Sequence, residues 1–310
     1  MKNLSRCVTK EGNCLKLWIV VNGFLINNKF SELTKRLSNA CDYYGIDYRV
    51  VTNSECVVSL DGSTFTTGVI ENDGQPVLFW DKDILLARAL EKVSHRVYNR
   101  ADAIEICDNK ALTSLMLAES GLPFPKTYVS PMTYENVGYT DCSFLDDISD
   151  KLGFPMVVKD VYGSFGAQVF MCNNFNELVD IVKKHDGRTL IFQQFISESY
   201  GRDVRVQVVG GKVTSAMYRF SDGSDFRANV TNGASMKAYE PSQEQKELAI
   251  KAAKLIGLDF CGVDILFGKN DKPIMCEVNS NAHFVNLDSC TKKDTARDII
   301  SYIINEHKDI

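Results

Sequence analysis

CGVDILF at residues 261–267 and CEVNSN at residues 276–281 are apolar runs interrupted by oxygen-bearing side chains. Phe260–Phe267 and Pro273–Asn279 read as the two strands of a hairpin around Asn270-Asp271. On a strand, residues two apart point to one face, so Glu277 and Asn279 project together. Folding the hairpin about Asn270-Asp271 places Asp264 opposite Glu277. Two carboxylates facing one another repel unless something neutralises them. A hard cation does so, and an all-oxygen set completed by phosphates and water suits Mg²⁺. The bland alternative is an exposed hairpin face, which the apolar residues on either side argue against.

A second hairpin lies upstream. Asp203–Val209 and Lys212–Phe220 flank Gly210-Gly211, the strongest hairpin signal in the chain. Arg202, Arg205, Arg219 and Arg227 cluster on and after it, and guanidinium groups match phosphate and carboxylate oxygens two at a time. A regular two-residue turn pairs Arg219 with Arg202 and puts Arg205 on the opposite face. The reading therefore predicts either an irregular hairpin or a site that uses only one of Arg205 and Arg219. The alternative is a solvated face with Asp203, Asp222 and Asp225 as partners.

Lys159 interrupts PMVVKDV (residues 155–161), otherwise a buried strand, and Gly163-Ser164-Phe165-Gly166 follows. Lysine is rarely buried without a partner. Beside a glycine loop, whose backbone N–H groups can approach phosphate oxygens, it suits a triphosphate. A lysine on a half-exposed strand beside an ordinary turn is the alternative.

The rest of the chain sets the fold class. Leu17–Asn22, a helical repeat from Phe30 to Tyr44 closed by Gly45, and Tyr48–Val51 begin β-α-β, which favours a parallel sheet. Val77–Trp80 is a further strand, and Ile84–Val93 a helix that Asp81 or Asp83 caps. The pattern predicts a helix over 109–120 with Asp108 as N-cap and Gly121 beyond its end. Asn174 and Glu177 have capping-box spacing. The fold class is an α/β N-terminal domain followed by α+β modules.

The 310 residues allow two or three modules, and 45% apolar with 24% charged residues is ordinary for a globular protein. The net charge of −5 implies no nucleic-acid partner. The longest apolar run, Leu17–Val21, is far short of the ~20 residues of a membrane span, and the opening MKNLSRCVTKEGNCLK lacks an apolar signal core. A cytoplasmic protein with no membrane partner is expected. The ten cysteines form no C-x-x-C pair and read as reduced and structural.

The ordered series DNK (108–110), GLPFP (121–125), GFPMVVKDVYGSFG (153–166), FQQFI (192–196), GRDVRVQVVGGKV (201–213), FRANV (226–230), GVDIL (262–266) and EVNSN (277–281) resembles the RimK-type branch of the ATP-grasp ligases. The likeness spans residues 103–304. It implies a pre-ATP-grasp α/β domain over 1–105, a central lid subdomain over 106–192 and a C-terminal subdomain with the metal site over 193–310. ATP would be held between the last two. By resemblance, Lys110 and Lys159 contact the ATP phosphates, with Gly163, Ser164 and Gly166 over them. Gln194 and Phe195 line the adenine pocket, Asp203 holds the ribose or a neighbouring lysine, and Arg227 and Asn229 reach the phosphates. Asp264, Glu277 and Asn279 hold two Mg²⁺ ions, with Mn²⁺ as a substitute. Arg219, favoured by the resemblance, and Arg205 are the catalytic candidates.

The implied reaction converts a carboxylate and ATP to an acyl-phosphate, which an amine attacks, with Arg219 and Arg205 stabilising the charge that develops. Substrates are a small-molecule or peptide carboxylate and an amine, glutamate being the family's default. A homo-oligomer is compatible with the resemblance. The chain departs from the family at Gln194, where a Glu is usual, and at Ser280–Phe284, where a Ser-Pro-Gly-like turn is common. The alternatives are a phosphotransferase on the same fold and a catalytically silent nucleotide-binding module.

Overall fold

A computed structural model of the chain describes residues 15–62, 65–70, 72–163, 166, 168–185, 187–223, 225–228 and 233–307. β1 (Lys16–Val21), α1 (Asn28–Tyr44), β2 (Asp47–Thr52), a small hairpin of β3 (Val58–Leu60) and β4 (Phe65–Thr67), β5 (Val77–Trp80), α2 (Ile84–Val93) and β6 (Val97–Tyr98) come first. They build a parallel sheet in the order β2-β1-β5-β6. Continuous apolar runs in β1 and β5 suit strands covered on both faces. Asn27 caps α1 by accepting from the N–H groups of Lys29 and Phe30, and Gly45 closes it in the left-handed region at φ 66°. The start of α1 and the C-terminal ends of β1 and β5 thus meet in one crevice, the place where open α/β sheets take ligands.

Two helices follow where the sequence suggested one. α3 (Ala101–Asp108) and α4 (Lys110–Leu117) break at Asn109, which adopts φ −106°, ψ 106° and accepts from Ala111 N and Leu112 N. Asn109 is therefore the cap, in place of Asp108, and α4 stops short of Ser120. Both residues are good caps. Asp108 instead ends α3 and pairs with Lys82.

β7 (Thr127–Val129), α5 (Phe144–Leu152), β8 (Met156–Asp160), β9 (Val169–Cys172), α6 (Phe175–Lys184) and β10 (Leu190–Gln194) form an antiparallel sheet, β7-β10-β8-β9, with its own apolar core. β11 (Arg202–Val209), β12 (Lys212–Phe220), β13 (Ser235–Ala238), α7 (Gln243–Ile256), β14 (Phe260–Phe267) and β15 (Pro273–Asn279) form the third sheet, in the order β13-β12-β11-β14-β15. Alternate residues Val204, Val206, Val263, Ile265 and Val278 pack with Leu248, Ala249 and Ala252 of α7. The residues between them face the other way.

α8 (Val285–Thr291) and α9 (Thr295–His307) end the described chain. α9 returns to the first sheet, where Ile299, Ile300 and Ile303 are buried with Leu17, Ile19, Leu33 and Leu37. Each such side chain contributes about 1.5–3 kcal/mol on burial. Asn99 fastens the same junction. Its amide donates to the carbonyls of Phe260 (2.9 Å) and Ser280 (3.0 Å) and accepts from the N–H groups of Asp259 (2.8 Å) and Phe260 (3.2 Å). Every cysteine among the described residues is a free thiol. No helix among those residues is long and apolar enough to cross a membrane.

Candidate active site

A cavity of about 630 Å³ lies where the three sheets meet, within the size range of ligand pockets. The third sheet supplies its most highly charged wall, and two irregularities in strand pairing decide how.

Asp264 pairs with Glu277, and Gly262 with Asn279, as the hairpin reading requires. The route to that register differs from expectation. The connection between Phe267 and Pro273 is longer than two residues, which shifts the pairing near the turn by one. A bulge at Cys276 shifts it back before Glu277.

The hairpin of β11 and β12 is irregular, the first of the two outcomes set out above. Pairing slips between Gln207 and Val208, with Thr214 as the extra residue, so that Arg219 comes opposite Asp203. Asp203 and Arg205 share a face, and the slip brings Arg219 onto it.

These side chains form one ion network. Arg219 donates from Nε and Nη2 to the two oxygens of Asp203 at 2.6 and 2.7 Å. Arg205 grips Asp264 in the same fork at 2.7 Å for both bonds. Arg219 Nη2 also lies 3.1 Å from Asp264 Oδ2 and ties the pairs together. Three of the four are buried, with Asp203 7%, Arg219 4% and Asp264 5% exposed, while Arg205 is partly exposed. Burial opposes ionisation of Asp264, but Arg205 and Arg219 outweigh it and hold the carboxyl down at about 2. Burial raises the Asp203 carboxyl against the pull of Arg219.

The second sheet brings Lys159, and the start of α4 brings Lys110. Lys159 Nζ stands 3.9 Å from Cys276 Sγ, the bulged residue on β15. Lys110 Nζ is 3.7 Å from Glu277 Oε1 and donates to the carbonyl of Gly163 at 2.6 Å. Arg227 donates to the carbonyl of Gly166 at 2.7 Å while forking onto Asp225. Both ends of the glycine loop are thus held by cations that the resemblance assigns to phosphates. Gln194 and Phe195 line the cavity at the end of β10. Ser164 and Asn229 lie outside the described residues. The other residues singled out from the sequence all line the cavity.

The first sheet contributes what sequence reasoning missed. Lys29, from the first turn of α1, and Asp81, just beyond β5, both line the cavity. Burial, and after it the charge of Arg205, lowers the Lys29 ammonium. His283 is lowered chiefly by burial, and its Nε2 meets the carbonyl of Lys29 at 3.0 Å. The available signal was positional: residues just past the C-terminal end of a buried parallel strand face the ligand crevice.

A hard cation fits the donor set. Asp264, Glu277 and Asn279 offer oxygens on one face. The amide nitrogen of Asn279 is buried without a hydrogen-bond partner among the described residues. Among those residues no group of three or more His, Cys, Asp or Glu side chains could hold a metal. The set is two carboxylates and an amide, to be completed by phosphate or water. Because Arg205 holds both oxygens of Asp264, a cation there takes over positions the guanidinium now occupies.

A nucleotide-sized cavity between two antiparallel sheets, with the strand lysine Lys159 on one, Lys110 from the start of α4 at its edge and an oxygen donor set on the other, defines the ATP-grasp class. The ATP-grasp ligase PsnB complexed with a minimal precursor superposes with a TM-score of 0.69 at 20% identity, over 94% of this chain and 99% of that one. The chain belongs to the RimK-like ATP-grasp family, whose domain model matches residues 107–303. Human N-acetylaspartylglutamate synthase A is 31% identical over 94% of this chain and 77% of its own length. Human beta-citrylglutamate synthase B is 31% identical over 93% and 76%. The protein is an ATP-dependent ligase that forms carbon–nitrogen bonds.

Proposed function

We propose that the protein joins the amine of glutamate to a small di- or tricarboxylate through an acyl-phosphate. The observation that carries this reading is the meeting of Arg205, Arg219 and Lys29 beside Asp264 in one cavity. Three cations at the end of a nucleotide site suit a substrate with more than one carboxylate. The names of the two human relatives support the same pairing of glutamate with a polycarboxylate.

In this reading Lys110 and Lys159 take the phosphates, Gln194 and Phe195 the adenine, and Asp203 the ribose side. Asp264, Glu277 and Asn279 would hold two Mg²⁺ ions, replaceable by Mn²⁺, which would supply positive charge for the transferring phosphoryl group. Arg219 and Arg205 stabilise the oxyanion that forms when the amine attacks. The working division is 1–105, 106–192 and 193–310, with water excluded as the last two enclose the intermediate.

The test is incubation with ATP, Mg²⁺, L-glutamate and either N-acetyl-L-aspartate or citrate. The expected products are ADP, phosphate and the condensed mass. A phosphorylated product without free phosphate would establish a phosphotransferase instead.

A further inference from the structure

We propose that Asp81 seats the ammonium group of the amino-acid substrate, an assignment that rests on the ligase reading above. The described cavity holds four carboxylates: Asp81, Asp203, Asp264 and Glu277. Three are engaged by cations. Asp203 and Asp264 are forked onto Arg219 and Arg205, and Glu277 lies 3.7 Å from Lys110 Nζ. Asp81 differs. Both its oxygens accept from the neutral amide of Asn22, at 3.2 and 3.1 Å, and Oδ1 accepts the N–H of Lys82 at 2.8 Å. Burial raises the Asp81 carboxyl, and the charge of Lys82, whose ammonium pairs with Asp108, pulls the other way. A carboxylate on a cavity wall whose hydrogen bonds come from neutral donors is suited to a positively charged ligand group.

The position is also rigid, as recognition of a small ion requires. Trp80 lies parallel to Phe260 at 5.3 Å and edge-on to Phe284 at 5.5 Å, which fixes the end of β5. The carbonyl of Asp81 accepts from Asn281 Nδ2 at 2.7 Å. Asn281 is two residues beyond Asn279, so the same backbone that carries the phosphate-side donors anchors Asp81. Lys29 and Arg205, from other elements, supply positive charge for carboxylates. The cavity therefore offers separate seats for the unlike charges of an amino acid. A lone carboxylate with an amide neighbour is too small a donor set for a hard divalent ion, which leaves an organic cation as the fitting ligand.

The experiment compares two amines. With ATP, Mg²⁺ and N-acetyl-L-aspartate or citrate, L-glutamate arrives as an ammonium ion. Hydroxylamine is largely uncharged near neutral pH and traps the acyl-phosphate as a hydroxamate. Its nitrogen bonds to the acyl carbon, the acyl–oxygen bond breaks so that phosphate leaves with the electron pair, and the nitrogen gives up one proton to water. Asp81→Asn keeps the shape and an acceptor oxygen but loses the charge. It should raise KM for L-glutamate at least about tenfold, while hydroxamate formation and KM for ATP stay within about twofold of wild type. Asp81→Glu keeps the charge but displaces it. It should fall between the two with glutamate and match wild type with hydroxylamine. An equal fall with both amines, or no change with either, overturns the assignment. A wild-type protein that yields neither amide nor hydroxamate removes the ligase reading, and this inference with it.

Discussion

Arg219→Ala should unfold the protein more readily before it reveals anything about catalysis. The guanidinium is 4% exposed and makes the 2.6 and 2.7 Å bonds that compensate Asp203, itself 7% exposed. Removing it strands a buried carboxylate beside the Asp264–Arg205 pair. Breaking one side of a buried pair costs about 3–5 kcal/mol. Whole domains are stable by only about 5–15 kcal/mol, so the melting temperature should fall by on the order of 10 °C. The assay is a thermal melt of three proteins: wild type, Arg219→Ala, and the neutral double variant Asp203→Asn with Arg219→Gln. The double variant leaves no unpaired charge and should recover most of the loss. It should nevertheless fail to turn over, which separates the structural part of the arginine from its catalytic part. An Arg219→Ala protein melting within a degree or two of wild type would refute the argument, because Asp203 would then not need its partner.

Lys159→Ala should weaken ATP binding with little change in melting temperature, since among the described residues the Lys159 Nζ contact is a long one, 3.9 Å to Cys276 Sγ; calorimetric titration with ATP checks it, and normal affinity with a much lower melt would mark the lysine as structural. Stability should fall on acidification between pH 6.5 and about 4. Burial, and next the neighbouring His95, depresses His307 from 6.5 to about 4. The unfolded chain therefore binds the extra proton in that window, and stability present above 6.5 is lost as pH drops. The shift corresponds to at most roughly 3 kcal/mol; denaturant titrations of wild type and His307→Gln across the window should converge at low pH, and parallel curves would exclude the histidine. Asn99→Ala removes four hydrogen bonds at the junction of the first and third sheets and should cost about 2–4 kcal/mol by leaving buried backbone groups unpaired, read as a lower denaturation midpoint.

The strand pattern made much of this site legible. Alternation placed Glu277 with Asn279, and the hairpin put Asp264 opposite Glu277. That pairing was reached only because two departures cancel: a longer turn, and the bulge at Cys276. Local sequence does not encode such compensation, since a bulge is set by what its residues pack against. The conflict between Arg205 and Arg219 was also visible, and it called for the slip that occurs at Thr214. At Asp108 and Asn109 two competent caps stand side by side, and the choice falls to tertiary partners, with Asp108 drawn to Lys82. Lys29 and Asp81 were not legible as site residues. Their role depends on how the first sheet docks against the third, through contacts such as Trp80 on Phe260 and Asn281 on the carbonyl of Asp81. Those pairs join residues far apart in the chain and leave no periodic signal.

Acyl transfer through a phosphorylated carboxylate is tested most directly by isotope transfer. With the substrate carboxylate labelled with ¹⁸O, ATP, Mg²⁺ and L-glutamate, the phosphate released is analysed by mass spectrometry. The acyl-phosphate route carries one carboxylate oxygen into phosphate for every amide formed. Amide formation that leaves the phosphate unlabelled would contradict the account.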